Sequence, residues 1–387
     1  MKNTLKITAL FIILSSAIFG QNITVIGVGR LGLCLALGLE KAGHTVLGVD
    51  TSSQYVSKLN EKTLSSQEPS VAEYLQLSQN FRATTSLTEG LKFSDVYFIV
   101  APTNSIPGLE TYDHTILSNI LKEIDNHQVS NKHIIICSTI FPGYIRNTAN
   151  PLISNCQNTD ISYNPEFIAQ GNIIYGLLNP DIVLIGEGST AAGDFLSDIY
   201  KNMCTNTPHI ARMSPDSAEI AKLALNCFVT AKIAFANLIG DIADETPGAD
   251  KYVILSTIGK DKRIGSQCLL PGFGFGGPCF PRDNRALGNY AELQGIEPLP
   301  LRATDLTNNN HTLYMANKLL ESNLNEYTFE DVSYKPNCPV PIIEASQRLE
   351  VAVKIAQTGK KVTIKDRKEV IVQIIEKYGD LFTYEVM

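Results

Sequence analysis

One cysteine lies in a setting where a thiol could act as a nucleophile. Cys279 follows a run of glycines, and Arg282 and Asp283 come three and four positions after it. Glycines have no side chain, so they let a ligand approach the backbone closely. A cysteine considered alone is more often a small, buried apolar residue, and this alternative stays open at the level of a single motif.

A second group of glycines has the spacing of a phosphate-binding turn. The G-x-G-x-x-G pattern is formed by Gly27, Val28, Gly29, Arg30, Leu31 and Gly32. It follows a predicted strand and opens a predicted helix, and Asp50 comes at the end of the next predicted strand. A carboxylate there accepts hydrogen bonds from ribose hydroxyls and repels a 2′-phosphate. The pattern predicts NAD as cofactor, whereas a ligand-free tight turn would explain Gly27 but not the whole spacing.

A dinucleotide site and a reactive thiol together fit one kind of oxidation. An aldehyde cannot donate a second hydride until a nucleophile adds to its carbonyl carbon, and a thiolate adduct of Cys279 would supply that tetrahedral donor. The combination favours oxidation of a primary alcohol to a carboxylate. A two-electron hydroxyacid dehydrogenase of similar architecture needs no cysteine and is the alternative.

Apolar runs that read as buried strands alternate with helical stretches in the first half of the chain. They lie at residues 23–26, 45–49, 96–100, 134–137 and 182–185. This alternation is typical of a parallel sheet with helices on both faces. We predict an α/β fold in which residues 22–213 form an NAD-binding, Rossmann-type, doubly wound parallel sheet.

A strong helix start follows this region. Ser214 can cap the helix, Pro215 suits its first position, and Asp216 places an acid in its first turn. Apolar residues then recur every three or four positions up to Thr246. The pattern predicts a helix of about 30 residues, on the order of 45 Å long, within a central helical region at residues 214–315 that carries the dimer contact and the catalytic cysteine.

The last part of the chain predicts a second, smaller Rossmann-like α/β domain at residues 316–387. We expect strands at residues 329–334 and 362–365, and helices at residues 343–357 and 370–377.

Composition excludes several classes of protein. The chain has 387 residues, 44% of them hydrophobic and 18% charged, and a net charge of -7. The hydrophobic content is that of a globular enzyme, and the negative charge argues against nucleic-acid binding. Eight cysteines form no Cys-x-x-Cys pair and six histidines form no cluster. We therefore expect no metal site and no disulfide framework, and we assign the histidines no role.

The first residues need a separate interpretation. Lys2 and Lys6 precede an apolar run at residues 7–19. This pattern resembles a signal peptide or a short anchor, and the run is shorter than the roughly 20 residues of a spanning helix. Because a secreted enzyme would be separated from NAD, we expect residues 1–21 to be an extension on a cytoplasmic enzyme. Export and membrane tethering are the alternatives.

At this point the chain resembles the UDP-glucose/GDP-mannose dehydrogenase family over essentially all of residues 22–366. Besides the glycine turn with Asp50 and the segment 274–283, the matching stretches are Ala101-Pro102-Thr103, Ser138-Thr139, Asn164-Pro165-Glu166-Phe167, Asn179-Pro180-Asp181, Ala218-Glu219 with Lys222 and Asn226, Arg263-Ile264-Gly265 and Tyr334-Lys335-Pro336. Several distinct motifs in the family's order are far more specific than any one of them.

The resemblance implies four-electron oxidation of UDP-glucose to UDP-glucuronate with NAD. It assigns Cys279 as the nucleophile, Glu166 as general base or acid, and Lys222 as the cation at the oxyanion. Asn226, one helical turn after Lys222, would be its partner at the sugar and the oxyanion. Asp283 and Thr139 would position a water and help to remove the C6 hydroxyl proton.

The resemblance also implies the binding residues. Besides the glycine turn, the cofactor would contact Asp50, Thr103, Ser138, Thr139 and Gln170. The UDP-sugar would contact Glu166, Phe167, Ile168, Lys222, Asn226, Arg263, Phe273, Gly274, Gly276, Cys279 and Lys335. Family members contribute the equivalent of Arg263 across a dimer, so we expect a homodimer through the long helix.

The chain departs from the family pattern at three places. Gln170 stands where many members carry a second glutamate, Leu270 where some carry lysine, and residues 339–344 replace a stretch that contains an arginine. These changes bear more on the choice of substrate than on the type of reaction. The alternatives are the same chemistry on GDP-mannose or a UDP-N-acetylhexosamine, and a non-catalytic relative that binds nucleotide sugars.

Overall fold

A computed structural model of the chain describes residues 20–106, 108–168, 170–335 and 337–387. The apolar run at residues 7–19, for which we considered an inert extension, export and anchoring, lies outside the described residues. The described part starts just before the first strand of the N-terminal domain.

The N-terminal domain is built on one large sheet and one small hairpin. In chain order its strands are β1 (Asn22–Ile26), β2 (Thr45–Val49), β3 (Phe81–Thr84), β4 (Val96–Ile99), β5 (Ser105–Ile106), β6 (Thr111–Tyr112), β7 (His133–Ile136), β8 (Asp160–Tyr163), β9 (Ile182–Gly186) and β10 (His209–Met213). β5 and β6 pair with each other, and the other eight form a sheet in the order β10-β9-β8-β7-β4-β1-β2-β3. The five apolar runs are therefore strands, with bounds within one residue of the prediction.

The predicted parallel direction is right for six strands of this sheet and wrong for the run at residues 182–185. β3, β2, β1, β4, β7 and β8 are parallel, but β9 pairs with β8 in the antiparallel sense, and β10 runs parallel to β9. A continuous apolar run indicates burial on both faces of a sheet but carries no information about strand direction. Apart from this edge, the α/β fold class is confirmed.

Helices cover both faces of the sheet and continue through the rest of the chain. In chain order they are α1 (Arg30–Lys41), α2 (Ser53–Asn60), α3 (Val71–Leu77), α4 (Leu87–Phe93), α5 (Thr115–Asn126), α6 (Asn150–Leu152), α7 (Ile173–Leu178), α8 (Thr190–Met203), α9 (Pro215–Asp244), α10 (Lys251–Ile258), α11 (Phe280–Leu293), α12 (Leu299–Leu320), α13 (Gln347–Ala356) and α14 (Lys368–Tyr378). α1, α7 and α8 contribute to the core on one face, and α5 to the core on the other. All of residues 32–39 of α1 are buried, which anchors the glycine turn to the sheet.

The long helix α9 has the predicted start and length. Ser214 caps it, its hydroxyl accepting from the backbone N–H of Ser217 at 3.3 Å, and the helix runs for 30 residues. α9 is long and apolar enough by composition to cross a membrane. Here one face packs against α11 and α12, and that buried face carries Lys222 and Asn226.

The C-terminal domain is a small parallel sheet with helices. Its strands β11 (Glu326–Glu330), β12 (Lys361–Asp366) and β13 (Thr383–Val386) lie in that order and pack with α13 and α14 around a separate core.

Two predictions for this domain need correction, and one strand was missed. The strand expected at residues 329–334 is three residues earlier, because Asp331 has a φ of 51° and breaks the extended backbone. The helix expected at residues 343–357 begins at Gln347, since Ser346 caps it. β13 was not predicted, because it lacks a buried apolar run.

Candidate active site

Each of the three glycines of the dinucleotide turn occupies its position for a different structural reason. A Cβ on Gly27, which has a φ of 88°, would lie 2.3 Å from the carbonyl oxygen of Val100, and one on Gly32 would lie 1.9 Å from the carbonyl oxygen of Gly27. No atom lies within 4 Å of a Cβ built on Gly29. The first and third glycines therefore fit the packing of the turn, while the second leaves open space beside the start of α1, where helix N–H groups can bind phosphate.

Asp50 follows β2, as predicted, and it is partly exposed. Its Oδ1 accepts a hydrogen bond from the backbone N–H of Ser52 at 3.1 Å. The carboxylate is thus held at the same edge of the sheet as the glycine turn. The open space at Gly29 and this carboxylate fit the pyrophosphate and ribose of a dinucleotide.

Three hydroxyl residues lie after strands β4 and β7, and two of their hydroxyls make bonds within the protein. Ser138 Oγ accepts from the backbone N–H of Ala101 at 2.9 Å and donates to the carbonyl of the same residue at 2.7 Å. Thr103 Oγ1 donates to the carbonyl of Thr139 at 2.7 Å. Ser138 and Thr103 therefore join the two strand ends, and their predicted cofactor contacts stay predictions.

Cys279 is the N-cap residue of α11, directly after the glycine-rich loop at residues 272–277, and it is exposed. Although the residue as a whole is exposed, the protein atoms around its thiol partly desolvate it and raise its pKa above the usual value, and the positive charge of Arg282 acts in the opposite direction. Asp283 raises this pKa as well, and Lys222 lowers it. The thiol thus lies at the opening of a charged cluster where two cations favour the thiolate.

Asp283 is the centre of that cluster and is 1% exposed. Its Oδ1 accepts from the hydroxyl of Tyr112 at 2.8 Å and from Nε of Arg282 at 3.3 Å, and its Oδ2 accepts from Nδ2 of Asn226 at 2.7 Å. Arg282 also lies over the ring of Tyr112 and donates to the carbonyl of Thr103 at 3.1 Å. Asn226 directs an amide N–H to Asp283, and its predicted role as partner of Lys222 at the sugar and the oxyanion stays a prediction.

Lys222 and Glu166 are in direct contact. Lys222 Nζ donates to the backbone carbonyl of Glu166 at 2.7 Å and lies 4.6 Å from the centre of the Phe167 ring. Burial lowers the pKa of Lys222, and the negative charges of Asp283, Cys279 and Glu166 act against this. Burial also raises the pKa of Glu166 to about 6, although a hydrogen bond from Tyr200 and the charge of Lys222 lower it. Glu166 can therefore change its protonation state near neutral pH.

Gln170 and Lys335 meet between the N-terminal and C-terminal domains. Gln170 Oε1 accepts a hydrogen bond from Arg30, and its backbone carbonyl accepts from Lys335 Nζ at 2.6 Å. Glu68, which is buried, accepts from the backbone N–H of Gly171 at 2.8 Å and fixes the same segment. The predicted cofactor residue and the predicted substrate residue thus form a direct bridge between the two domains.

Two other predicted substrate residues lie apart from the cluster. The side chain of Ile168 packs with the core of the N-terminal domain, and its predicted contact with the UDP-sugar stays a prediction. Arg263 follows α10, its side chain is 89% exposed, and its guanidinium pairs with Asp261 at 2.7 Å. Lys232 of α9 donates to the carbonyl of Ile264 at 3.1 Å and holds this loop to the long helix. Within one copy of the described chain, Arg263 makes no contact with Cys279 or Asp283.

The glycine-rich loop before Cys279 is fixed by side chains that the sequence did not suggest. Asn308 accepts from the backbone N–H of Phe275 at 2.8 Å and donates to its carbonyl at 3.0 Å. His311 lies 2.7 Å from the carbonyl oxygen of Gly272 and 2.9 Å from the carboxylate of Asp241.

Close contacts with other segments of the same chain explain why glycine occupies two of the predicted substrate positions in this loop. A Cβ on Gly274 would lie 2.3 Å from Asn308 Oδ1, and one on Gly276 would lie 2.0 Å from the carbonyl oxygen of Ala345. The guanidinium carbon of Arg348 lies over the ring of Phe273, 4.7 Å from the centre of that ring. The loop is thus held between α12 and the C-terminal domain.

A dinucleotide turn and a cluster of thiol, lysine and carboxylates define an oxidoreductase with an NAD-type cofactor. Residues 21–204 match the UDP-glucose/GDP-mannose dehydrogenase family, NAD binding domain, and residues 216–310 match the central domain of the same family. The chain therefore belongs to the UDP-glucose/GDP-mannose dehydrogenase family, and the predicted resemblance is confirmed.

Individual relatives include enzymes for different sugars. The chain is 30% identical over 371 residues to a putative UDP-glucose 6-dehydrogenase of Bacillus subtilis, a match that covers 92% of this chain and 84% of the relative. It is 30% identical over 316 residues to GDP-mannose 6-dehydrogenase of Pseudomonas aeruginosa, covering 78% and 71%. The structure of a UDP-glucose dehydrogenase from Pyrobaculum islandicum superposes with a TM-score of 0.85 at 27% identity, covering 95% of this chain and 86% of that one.

Proposed function

We propose that the protein oxidises UDP-glucose to UDP-glucuronate and reduces two NAD molecules for each sugar. The observation that carries this proposal is the group of residues around the start of α11. Cys279 is the N-cap residue of this helix, Asp283 in its first turn contacts Asn226, and Lys222, one turn before Asn226 on α9, contacts Glu166. Similarity to UDP-glucose 6-dehydrogenases supports the choice of sugar.

NAD held by the glycine turn and Asp50 would accept one hydride in each half of the reaction. In the first half, the primary alcohol would give up its hydroxyl proton through the water positioned by Asp283 and Thr139, and loss of a hydride would leave an aldehyde. The thiolate of Cys279 then adds to the aldehyde carbon, and the new oxyanion takes a proton or a hydrogen bond. Lys222 has two ammonium protons beyond the one given to the Glu166 carbonyl, so it can stabilise this oxyanion.

In the second half, the Cys279 thiohemiacetal would lose a second hydride, for which a second NAD would be the acceptor, and would become a thioester. Water then cleaves the carbon–sulfur bond, so that the products are a carboxylate and the free thiol. Glu166 supports the water step as a base, because its pKa of about 6 leaves it ionised at neutral pH. Asp283, whose carboxylate is fixed by Tyr112, Arg282 and Asn226, would position this water together with Thr139.

The same chemistry on GDP-mannose or a UDP-N-acetylhexosamine is the second candidate. A GDP-mannose 6-dehydrogenase is as similar to this chain, at 30% identity, as the UDP-glucose 6-dehydrogenase relative, and this supports the second candidate. We also propose that the enzyme works in the cytoplasm, where NAD is available, and that residues 1–21 are an extension.

The test is the ratio of NADH formed to sugar consumed across a panel of nucleotide sugars. We expect a ratio of two with UDP-glucose and full loss of this turnover in Cys279→Ala. The matched control is Cys268→Ala, because Cys268 is an exposed free thiol outside the cluster. A ratio of one, or full activity of Cys279→Ala, contradicts the proposal, and saturable sugar binding without NADH indicates a non-catalytic relative.

A further inference from the structure

The hydroxyl of Tyr200 lies between two acceptors that are two residues apart in the chain. It is 2.6 Å from Oε1 of Glu166 and 2.7 Å from Oδ1 of Asn164. Tyr200 is on α8 and is 1% exposed, and Asn164, directly after β8, is also 1% exposed. This hydroxyl is therefore shielded from water, and these two side chains are its hydrogen-bond partners.

The orientation of the Asn164 amide is fixed. Its Nδ2 donates to the carbonyl of Leu184 on β9 at 2.9 Å, which directs Oδ1 towards Tyr200. An amide oxygen only accepts, whereas a tyrosine hydroxyl has one proton to donate and can also accept. Tyr200 can therefore donate to Asn164 or to Glu166, but not to both at once.

The state of Glu166 decides between the two arrangements. When the carboxylate is ionised, Tyr200 donates to it. When the carboxyl is protonated, it donates to the oxygen of Tyr200, and Tyr200 donates to Asn164. In the protonated arrangement every one of these polar atoms is paired, and in the ionised one only the oxygen of Asn164 loses its partner.

We propose that Tyr200, with Asn164 behind it, is a positioning residue that holds Glu166 in one orientation in both of its protonation states. The role rests on the proposed function, in which Glu166 takes a proton as the base of the water step and must release it before the next turnover. A rotation of one hydroxyl proton then replaces any movement of the carboxyl group. No bond to substrate is involved, and the network returns to its starting state when the proton leaves.

Few other groups near Glu166 can titrate. Lys222 faces it from α9, Cys137 from the end of β7, and Cys204 from the end of α8. Burial raises the pKa of Cys137 well above its usual value and that of Cys204 to about 11, so both thiols stay neutral in the range of the test. Glu219 of α9 also titrates near neutral pH, because burial raises its pKa to about 7, and it accepts from the backbone N–H groups of Gly143 and Ile145. Comparison with Glu166→Gln therefore identifies the part of the titration that belongs to Glu166.

The experiment compares Tyr200→Phe with Asn164→Leu, which we expect to act in opposite directions. Without its hydroxyl donor the ionised carboxylate is less stable, so the acidic limb of the kcat profile moves to higher pH by about one pH unit. Without the Asn164 acceptor the hydroxyl can donate only to Glu166, so the limb moves to lower pH. KM for the sugar changes by less than about twofold.

Tyr163→Phe is the matched control, because Tyr163 is also buried and its hydroxyl has no partner among the described residues. We expect it to leave the limb unchanged. The proposal is overturned if the acidic limb shifts equally in Tyr163→Phe or does not shift in folded Tyr200→Phe. It is also overturned if Tyr200→Phe shifts the limb further when Glu166 is already replaced by glutamine. If Asn164→Leu does not fold, Tyr200→Phe and its control still decide.

A second measurement separates this proposal from the proposed function. The carboxyl stretching band of Glu166 is titrated by infrared difference spectroscopy on the resting protein without sugar, with Glu166→Gln to identify the band. We expect its midpoint to rise in Tyr200→Phe. A wild type that forms one NADH per sugar would refute the proposed function, whereas an unchanged midpoint would refute the role of Tyr200.

Discussion

Lys222 is held inside the site through its bond to the Glu166 carbonyl and its position over the Phe167 ring. Replacement by methionine keeps the length of the side chain but removes the charge. We expect kcat to fall by about 10²- to 10³-fold, as for the loss of an oxyanion donor, with little change in KM.

The measurement is the initial rate of NADH formation at saturating substrate. Lys201→Met is the control, because Lys201 is an exposed lysine of α8 that pairs with Asp198. A Lys222→Met enzyme that keeps more than about a third of wild-type kcat would show that the ammonium group is not needed at the oxyanion.

Gly29 allows a second prediction at the scale of one residue. Since a Cβ at this position meets no protein atom, Gly29→Ala should leave thermal stability within about 2 °C of wild type. The same methyl group would occupy the space assigned to the pyrophosphate, so we expect KM for NAD to rise by about tenfold or more. Unchanged NAD kinetics would place the phosphates elsewhere.

Residues that bind through a local motif could be predicted, and residues that act from a distance could not. Cys279, Asp50 and Glu166 each lie in a short pattern whose chemistry is visible in the sequence. Tyr112 contacts Asp283 across 171 positions, and Tyr200 contacts Glu166 across 34 positions, from other elements. A tyrosine within an ordinary strand or helix pattern carries no sign of such a partner.

The glycine-rich loop at residues 272–277 supports a prediction at the scale of an element. A Cβ on Gly276 would lie 2.0 Å from the carbonyl oxygen of Ala345, whereas one on Gly272 meets nothing within 4 Å. We expect Gly276→Ala to lower the free energy of unfolding by about 1–3 kcal/mol and to reduce activity, because the backbone before Cys279 must move.

Gly272→Ala is the matched control within the same loop and should behave like wild type. Urea unfolding and NADH assays on both variants make the comparison. Equal effects of the two changes would mean that the C-terminal domain does not hold this loop in place.

Element bounds followed the sequence where local chemistry fixes them and deviated where it does not. The cap at Ser214 gave the start of α9, while the positive φ of Asp331 ended β11 before the predicted position. The reversal of β9 was not predictable, because both directions bury the same apolar residues. Asn308 and His311, which hold the glycine-rich loop, belong to α12. The buried face of this helix is polar, so in the sequence it resembles a solvent-exposed face.

The outer face of α9 gives a prediction for the whole molecule. Phe228, Phe235 and Ile242 recur every seven residues, and their side chains are exposed. Such an apolar stripe is typical of a helix that packs against a partner. We propose that a second copy of the chain covers it, which would also bring the exposed Arg263 to the partner's substrate.

Phe228→Glu tests this arrangement, since a buried unpaired charge opposes association. We expect light scattering to report a dimer for wild type and a monomer for the variant, with a raised KM for the sugar. Val372→Glu, at an exposed position of α14, is the control. If the wild-type protein is a monomer at assay concentration, both the proposed interface and the proposed contribution of Arg263 to the partner's site are refuted.

The contact between Tyr112 and Asp283 also has a consequence for the newly made chain. It joins residues 171 positions apart, and the bond from Arg282 to Thr103 spans 179. The domain with the dinucleotide turn leaves the ribosome first and has its own core, so it can fold early. The acid–base cluster needs α11, which comes later in the chain, so chemical competence is expected to follow the folding of the domain that carries the dinucleotide turn.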